Sequence, residues 1–367
     1  MSVKLDYSFF SEQALGTPYG EVQLRNSLFT MLAAVREAGS IGRAAERLGL
    51  SYRHLWGVLK GQEVAFGQPL LSGAQGQAAR LSEFGERLFL AERRMLARVT
   101  PQAEILAGQI DRELMLAIDP GLQLIPVCAS YDLLFGALRD RLRRHSRLLL
   151  DIDYAGSGVA LERLNDDRCQ VAGIHLPLSN GALCERGSAI HAGIGRHLRL
   201  GEHKLVRFVT REQGLMVAAG NPQGIQGVAD LKRPGVVVIQ RNPGSGTRLL
   251  FEELLLQAGL EPAAIAAYGH AEQTHLAVAA SVDAGLATCG FGLRAAAERF
   301  GLGFVPLVNE QYFVVCRKAT LDSRALQALI EVLQSDNFRR LIDAVPGYSS
   351  ADSGEVVSLR KTLPWYK

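Results

Sequence analysis

"SLFTMLAAVREAGSIGRAAERLGLSYRHLWGVLKGQEVAFG", residues 27–67, reads as three helices punctuated by glycine. Leu28, Leu32 and Val35 fall on one helical face, Gly39 ends that helix, and Ser40 is placed to cap the next. Ile41, Ala44, Ala45 and Leu48 keep the i, i+3, i+4, i+7 rule, and Gly49 closes a helix of about two turns. Ser51 then caps a third helix after the turn Gly49, Leu50, Ser51. Two short helices joined by a tight glycine turn describe a helix-turn-helix.

On the third helix Leu55, Val58 and Leu59 point one way, while Tyr52, Arg53, Trp56 and Lys60 share the other face. That second face suits a major groove. Arg and Lys reach guanine edges or phosphates, Tyr and Trp add apolar contact, and His54 adds a neutral donor. Ser40 and Arg43 on the second helix and Ser51 at the turn complete the candidate DNA surface. Trp56 has a plainer reading, packing beneath a neighbouring domain. Pro69 to Leu71 and Ala78 to Leu81 are expected as two short strands around a glycine-rich loop at 72–77, a wing whose Arg80 is a candidate phosphate contact.

Ser82 then caps a long helix with Phe84, Leu88, Met95, Leu96 and Val99, which Thr100 and Pro101 are expected to interrupt before Ile105, Leu106 and Ile110. Such a stripe needs a partner, so a homodimer, or a tetramer built from it, is expected.

Composition sets bounds on the rest. The chain has 367 residues, 48% hydrophobic and 21% charged, which is ordinary for a globular protein of two or three domains. A net charge of +3 does not announce nucleic-acid binding, so any DNA surface must be local. Five cysteines without paired spacing suit a reducing compartment. The start "MSVKLDYSFF" has no cleavable apolar leader, and no later run gives about 18 apolar residues, so a cytoplasmic protein without a membrane span is expected.

From Glu113 the pattern changes. "ELMLAI", "LLLDIDY", "VAGIHL", "LMVAA", "VVVIQ" and "AGLATC" are short apolar runs alternating with helical stretches, the signature of parallel βαβ units. Ligands in such sheets sit at the carboxyl ends of strands. Those ends read "DPGLQ", "AGSGVA", "HLPL", "RNPGSGTR" and "AEQTHLAVAA". In "RNPGSGTRLLFEEL", residues 241–254, the spacing does not fit a nucleotide-hydrolysing phosphate loop. A generic anion cradle formed by Ser245, Gly246, Thr247 and Arg248 remains, beside the plainer reading that Ser245 only caps a helix.

The N-terminal block resembles the winged helix-turn-helix of the molybdate-responsive regulators, relatives of the LysR type, on "GSIGRAAERLGLSYRHLW" and "GQAARLSEFGERL". The remainder looks like a type II periplasmic-binding-protein fold of the cytoplasmic molybdate-binding kind, on "REQGLMVAAGNP", "RNPGSGTRLLFEELL" and "THLAVAASVDAGLA". Together they cover nearly the whole chain and imply an α/β protein with an N-terminal α(+β-wing) domain: winged helix-turn-helix 1–81, linker helix 82–112, a two-lobed effector domain 113–350 and a tail 351–367. Lobe I would hold 113–206 and 312–350, and lobe II 207–311, with crossings near Arg207 to Gln213 and Gln311 to Cys316.

The resemblance implies a small anionic effector between the lobes: molybdate, tungstate or a molybdenum-cofactor-related compound. Ser157 and Gly158 would offer a hydroxyl and an N–H, facing Ser245, Thr247 and Arg248 of the other lobe, with Thr274 and His275 at a further helix start. Asp119 and Gly121, at the end of the first expected strand, complicate a dianion unless Arg241 or Arg248 neutralises the carboxylate. His175 reads equally as cleft lining or as a satisfied core histidine.

Two other classes fit less well. Cys184, His175, His191, His197 and His203 match no compact zinc spacing, and no nucleophile has a base at a recognised spacing, so neither metal, cofactor nor catalysis is expected. A solute-binding protein lacks reason for a DNA-binding block. An oxyanion-storage protein, or a regulator for another organic ligand, stays as the alternative to a DNA-binding regulator.

Overall fold

The computed structural model describes residues 7–11, 22–72, 78–178 and 185–366. It divides into two compact units, one holding Val22–Thr100 and the other Pro101–Lys367.

In the first unit, β1 (Ser8–Ser11) pairs antiparallel with β2 (Val22–Arg25) ahead of the three helices α1 (Ser27–Ala38), α2 (Ile41–Arg47) and α3 (Tyr52–Phe66). Gly49 adopts φ 66° in the α2–α3 turn, a left-handed conformation that glycine takes without penalty. Ser51 caps α3 by accepting from the His54 N–H at 3.1 Å, whereas Ser40 occupies the α2 cap without a side-chain bond. Leu28, Leu32, Val35, Leu55 and Leu59 close the core. The wing is β3 (Leu71–Ser72) paired with β4 (Arg80–Leu81); residues 73–77 of its loop lie outside the described residues.

Helix α4 (Glu83–Ile118) differs from expectation, because it runs unbroken through Pro101. A proline there removes a single N–H bond from a 36-residue helix, a loss the flanking turns absorb. It also takes in "ELMLAI", which is helix and not strand. Within the first unit it buries Glu92, whose carboxyl is pushed up to about 7 by burial, against the opposing pull of Arg93. Tyr7, stacked on Phe29, is raised to about 12 by burial and by Glu92.

Because the folded pKa of Glu92 lies above its unfolded value, the native state holds its proton longer than the unfolded chain. The Glu92 contribution is therefore fully present below about pH 4.5 and is lost as pH rises through 7, by about 2 kcal/mol after allowance for solvent at its partly open edge. Glu92→Gln is expected to flatten this slope in urea titrations between pH 5 and 7.5; an unchanged slope rules the assignment out.

Among the described residues the second unit is built on a ten-stranded sheet, eight strands in the order 267–272, 238–241, 289–293, 203–217, 303–317, 171–177, 123–129 and 148–154, with 348–349 and 356–358 also paired to 203–217. Its first half contains β5 (Gln123–Ala129), α5 (Phe135–Ser146), β6 (Leu148–Tyr154), α6 (Ser157–Asn165), β7 (Val171–Pro177) and α7 (Ala189–Ile194). The long β8 (His203–Val217) then crosses to β9 (Val238–Arg241), α8 (Gly246–Gln257), β10 (Ala267–Glu272), α9 (His275–Asp283), β11 (Cys289–Leu293) and α10 (Arg294–Arg299). A second long strand, β12 (Gly303–Arg317), returns to α11 (Arg324–Gln334), α12 (Asp336–Asp343), β13 (Tyr348–Ser349), β14 (Val356–Ser358) and α13 (Leu359–Thr362).

β5, β6 and β7 are parallel, as are β9, β10 and β11, while β8 and β12 pair antiparallel over their whole length and belong to both halves. Residues 207–213 and 311–316, where the resemblance implied crossings, lie within β8 and β12. "AGLATC" is mostly the turn before β11, in which Gly285 takes φ 69° after the end of α9. Within 351–366, expected as the C-terminal tail, β14 pairs with β8 and Trp365 is buried.

Candidate nucleic-acid face and effector cleft

Helix α3 turns Leu55 and Leu59 inward and leaves Tyr52, Arg53, His54, Trp56 and Lys60 exposed. Tyr52 and Trp56 stack with centroids 6.4 Å apart, and the Lys60 ammonium lies 4.7 Å from the Trp56 ring while pairing with Glu63 at 2.6 Å. An aromatic pair 55% and 37% exposed, laid flat beside a cation, is a ready contact surface. Arg43 and Arg80 are also exposed; the Ser51 hydroxyl is committed to its cap.

The cleft follows from strand register. The carboxyl ends of β9 and β10, Arg241 and Glu272, pair with each other, and β11 ends at Leu293 opposite Gln213. On the other half β7 ends at Pro177 opposite Glu310, itself opposite Arg211. The strand ends of both halves therefore meet over residues 211–213 and 308–310 of the crossing strands.

Arg211, 1% exposed, donates from Nη1 to Asp132 at 2.7 Å and from Nη2 to Glu310, and its guanidinium lies 4.9 Å from the Tyr312 ring. Burial works against the Arg211 charge, but Glu310 and Asp132 more than offset it and raise its pKa. Burial alone would raise Glu310; Arg211 and His175 reverse this and hold it at about 2. His175 bonds Glu310 through Nδ1 at 3.0 Å, and a Cβ on Gly246 would come within 2.5 Å of its ring, so β7 and the start of α8 are in contact across the cleft. His175 is thus both satisfied and cleft-lining.

Arg241 is the unusual group. It is half-buried, and its Nε and Nη1, both shielded from solvent, have no hydrogen-bond partner among the described residues. Burial and the neighbouring Arg211 charge push its pKa down to about 10, with Glu310 and Glu272 opposing. Burial, Arg241, Arg211 and His175 in turn hold His275 well below the usual imidazole range, so it is neutral at pH 7. Its Nδ1 is unpaired among the described residues, as is the hydroxyl of the buried Ser157 at the start of α6. Gly158 follows, 3.0 Å from the Gly193 carbonyl when a Cβ is added. Thr247 lies 3.5 Å from His275 Nε2, and Thr274 caps α9.

Three expectations change. Asp119 and Gly121 are not at a strand end, because α4 runs to Ile118; Asp119 instead precedes β5 and binds Arg147, with Gly121 beside the same guanidinium. Arg248 is occupied by Glu252 and Gln240 and is not a free cation for the cleft. Ser245 does cap α8, accepting from the Arg248 N–H at 3.2 Å. Among the described residues no His, Cys, Asp or Glu group is arranged to hold a metal, and no helix is long and apolar enough to cross a membrane. Cys184 lies outside the described residues; Cys128, Cys169, Cys289 and Cys316 are buried free thiols.

Sequence reading missed Asp132, Arg211, Gln213 and Glu310. The signal open to it was the polar run "REQG" directly before the apolar "LMV" that ends the strand.

Comparison with known proteins adds family matches. A PBP superfamily domain matches residues 139–334, and the bacterial regulatory helix-turn-helix protein, lysR family, matches residues 27–86. The uncharacterized protein YvgK of Bacillus subtilis (strain 168) is 33% identical over 204 residues, 56% of this chain and 64% of that protein, so the chain spans less than two thirds of this relative. An uncharacterized protein in the 5' region of the ferredoxin 2Fe-2S gene of Clostridium pasteurianum is 29% identical over 115 residues, 30% of this chain and 98% of its own. A solved cysteine mutant of Corynebacterium glutamicum OxyR, H2O2-bound, is similar at 15% identity and TM-score 0.44, over 87% of this chain and 92% of that one.

Proposed function

The chain belongs to the PBP superfamily and carries a lysR-family helix-turn-helix, and from that premise we propose that it is a ligand-responsive transcriptional regulator. A small anion binds between the two halves of the second unit and changes operator binding by the first. The observation that carries the effector half is Arg241, a half-buried guanidinium at the strand ends whose shielded Nε and Nη1 are unpaired among the described residues. Such a group is stabilised by an anion that enters and pairs with it. Candidate anions are molybdate, tungstate and molybdenum-cofactor-related compounds.

Association of two copies completes the reading. On the second-unit part of α4, Leu106, Ile110, Leu114 and Ile118 recur every four residues and are 53% to 73% exposed, a stripe suited to a homodimer. Effector and DNA are then linked by a coupling free energy of about 1–3 kcal/mol, which acts equally in both directions.

The test uses the full chain and double-stranded DNA from upstream of its own gene. Arg53→Ala and Lys60→Ala are each expected to weaken binding and lower the slope of log affinity against log salt by about one. Ile110→Asp is expected to halve the sedimenting mass. Unchanged affinity and slope in both helix variants would remove α3 as the reading helix, and an unchanged mass would remove the α4 stripe as the dimer contact.

A further inference from the structure

Helix α3 carries an aromatic pair that its own core does not use. Tyr52 and Trp56 lie one turn apart and are 55% and 37% exposed, while Leu55 and Leu59 fill the interior from another face of the helix. Two large rings left in water are apolar area that an occupant can cover.

The pair is also held in place. Its rings stack with planes 10° apart, and the Lys60 ammonium lies 4.7 Å from the Trp56 ring. Lys60 is itself anchored, because Glu63 pairs with its ammonium at 2.6 Å through Oε2 and accepts the N–H groups of Leu70 and Leu71 through Oε1, at 2.9 and 3.2 Å. Leu70 and Leu71 lead into β3, so Trp56, Lys60 and Glu63 tie the aromatic face to the base of the wing. A surface fixed before binding loses little side-chain freedom when it is covered.

Charge and chemistry then name the occupant. Arg43, Arg53 and Arg80 are exposed cations of the same unit, the start of α3 adds the positive end of its dipole, and the lysR-family helix-turn-helix spans 27–86. These suit the major groove of double-stranded DNA, where base edges present hydrogen-bonding atoms and a single kind of apolar group, the C5 methyl of thymine. The face of a ring offers a base edge no ordinary donor or acceptor, whereas a methyl laid against it removes apolar area from water on both sides. The centroids are 6.4 Å apart, more than the rise of one base step, about 3.4 Å, so rings laid along the groove meet more than one base pair. We propose that Tyr52 and Trp56 select operator sequence by covering thymine methyl groups, and leave hydrogen-bonded and phosphate contacts to the cations around them.

This rests on the DNA-binding reading of α3, so the experiment separates the two. The full chain is titrated with the duplex from upstream of its own gene, made either with thymine or with uracil throughout. Uracil keeps every hydrogen-bonding atom and every phosphate and removes only the methyl. An unrelated duplex of the same length and base composition sets the background. Wild type is expected to bind the uracil duplex about tenfold more weakly, the scale of two methyl groups left uncovered, at an unchanged slope of log affinity against log salt. The double variant Tyr52→Gln, Trp56→Gln is expected to bring that ratio to about one, and Trp56→Phe to keep part of it; Tyr52→Gln alone serves if the double variant melts early. Arg53→Ala is expected to weaken both duplexes alike and to preserve the ratio.

If wild type prefers its own upstream duplex to the unrelated one yet binds the thymine and uracil forms equally, the methyl proposal falls while the DNA-binding reading stands. The same holds if the ratio survives in the glutamine variants. If wild type shows no preference for its upstream duplex and Arg53→Ala alters nothing, the DNA-binding reading falls and takes the proposal with it.

Discussion

Arg211→Met is expected to destabilise the second unit by about 3–5 kcal/mol at pH 7, read as a shifted urea midpoint at unchanged slope. The reason is what stays behind. Asp132 and Glu310 are 2% and 0% exposed, and each has its buried charge balanced by a nitrogen of this one guanidinium. Tyr348 donates to Asp132 at 3.0 Å and His175 reaches Glu310, but neither neutralises both carboxylates. Replacement of Arg211 therefore strands two charges in a region that cannot solvate them.

The sign with pH follows from Glu310. Its folded pKa of about 2 lies below the unfolded value, so its contribution is fully present above about pH 4.5 and is lost as pH falls towards 2. In the variant Glu310 relieves its burial by taking a proton, and the gap to wild type is expected to narrow between pH 7 and 5. A loss under about 1 kcal/mol at pH 7 would mean that water reaches these groups and the network is not sealed.

The contrast between this network and the recognition helix explains what the sequence made legible. Local rules sufficed for α1 to α3, where glycine stops, serine caps and a face with Leu55 and Leu59 act within one turn of each residue. The long strands β8 and β12 bring together residues that no local rule relates. Asp132, Arg211 and Glu310 are separated by 79 and 99 residues and meet only because β8 lies beside β12. No spacing rule reaches that far. Asp119 went astray for a local reason: an apolar "ELMLAI" serves either as a strand or as the end of an amphipathic helix, and 30 preceding helical residues decided the matter.

The choice between Arg241 and Arg248 shows how such misplacement bears on function. Sequence pattern favours Arg248, at a helix start behind a glycine-rich turn. Its guanidinium, however, is held by Glu252 one turn along and by Gln240 on β9, so an incoming anion must break two contacts to use it. Arg241 has two shielded nitrogens, Nε and Nη1, that are unpaired already. Arg241→Met is accordingly expected to lower anion affinity by about a hundredfold or more, in line with loss of a buried charge-assisted pair. It should also remove the anion's effect on DNA binding while raising the melting temperature of the ligand-free protein, because a half-buried charge with two unpaired nitrogens is gone. Arg248→Met should shift anion affinity by less than about threefold, the scale of a partly exposed i,i+4 pair. Thermal shift against molybdate and sulfate checks both variants at once. The opposite ranking would return the anion to the start of α8 and leave the half-buried Arg241 charge balanced by Glu310 and Glu272 alone.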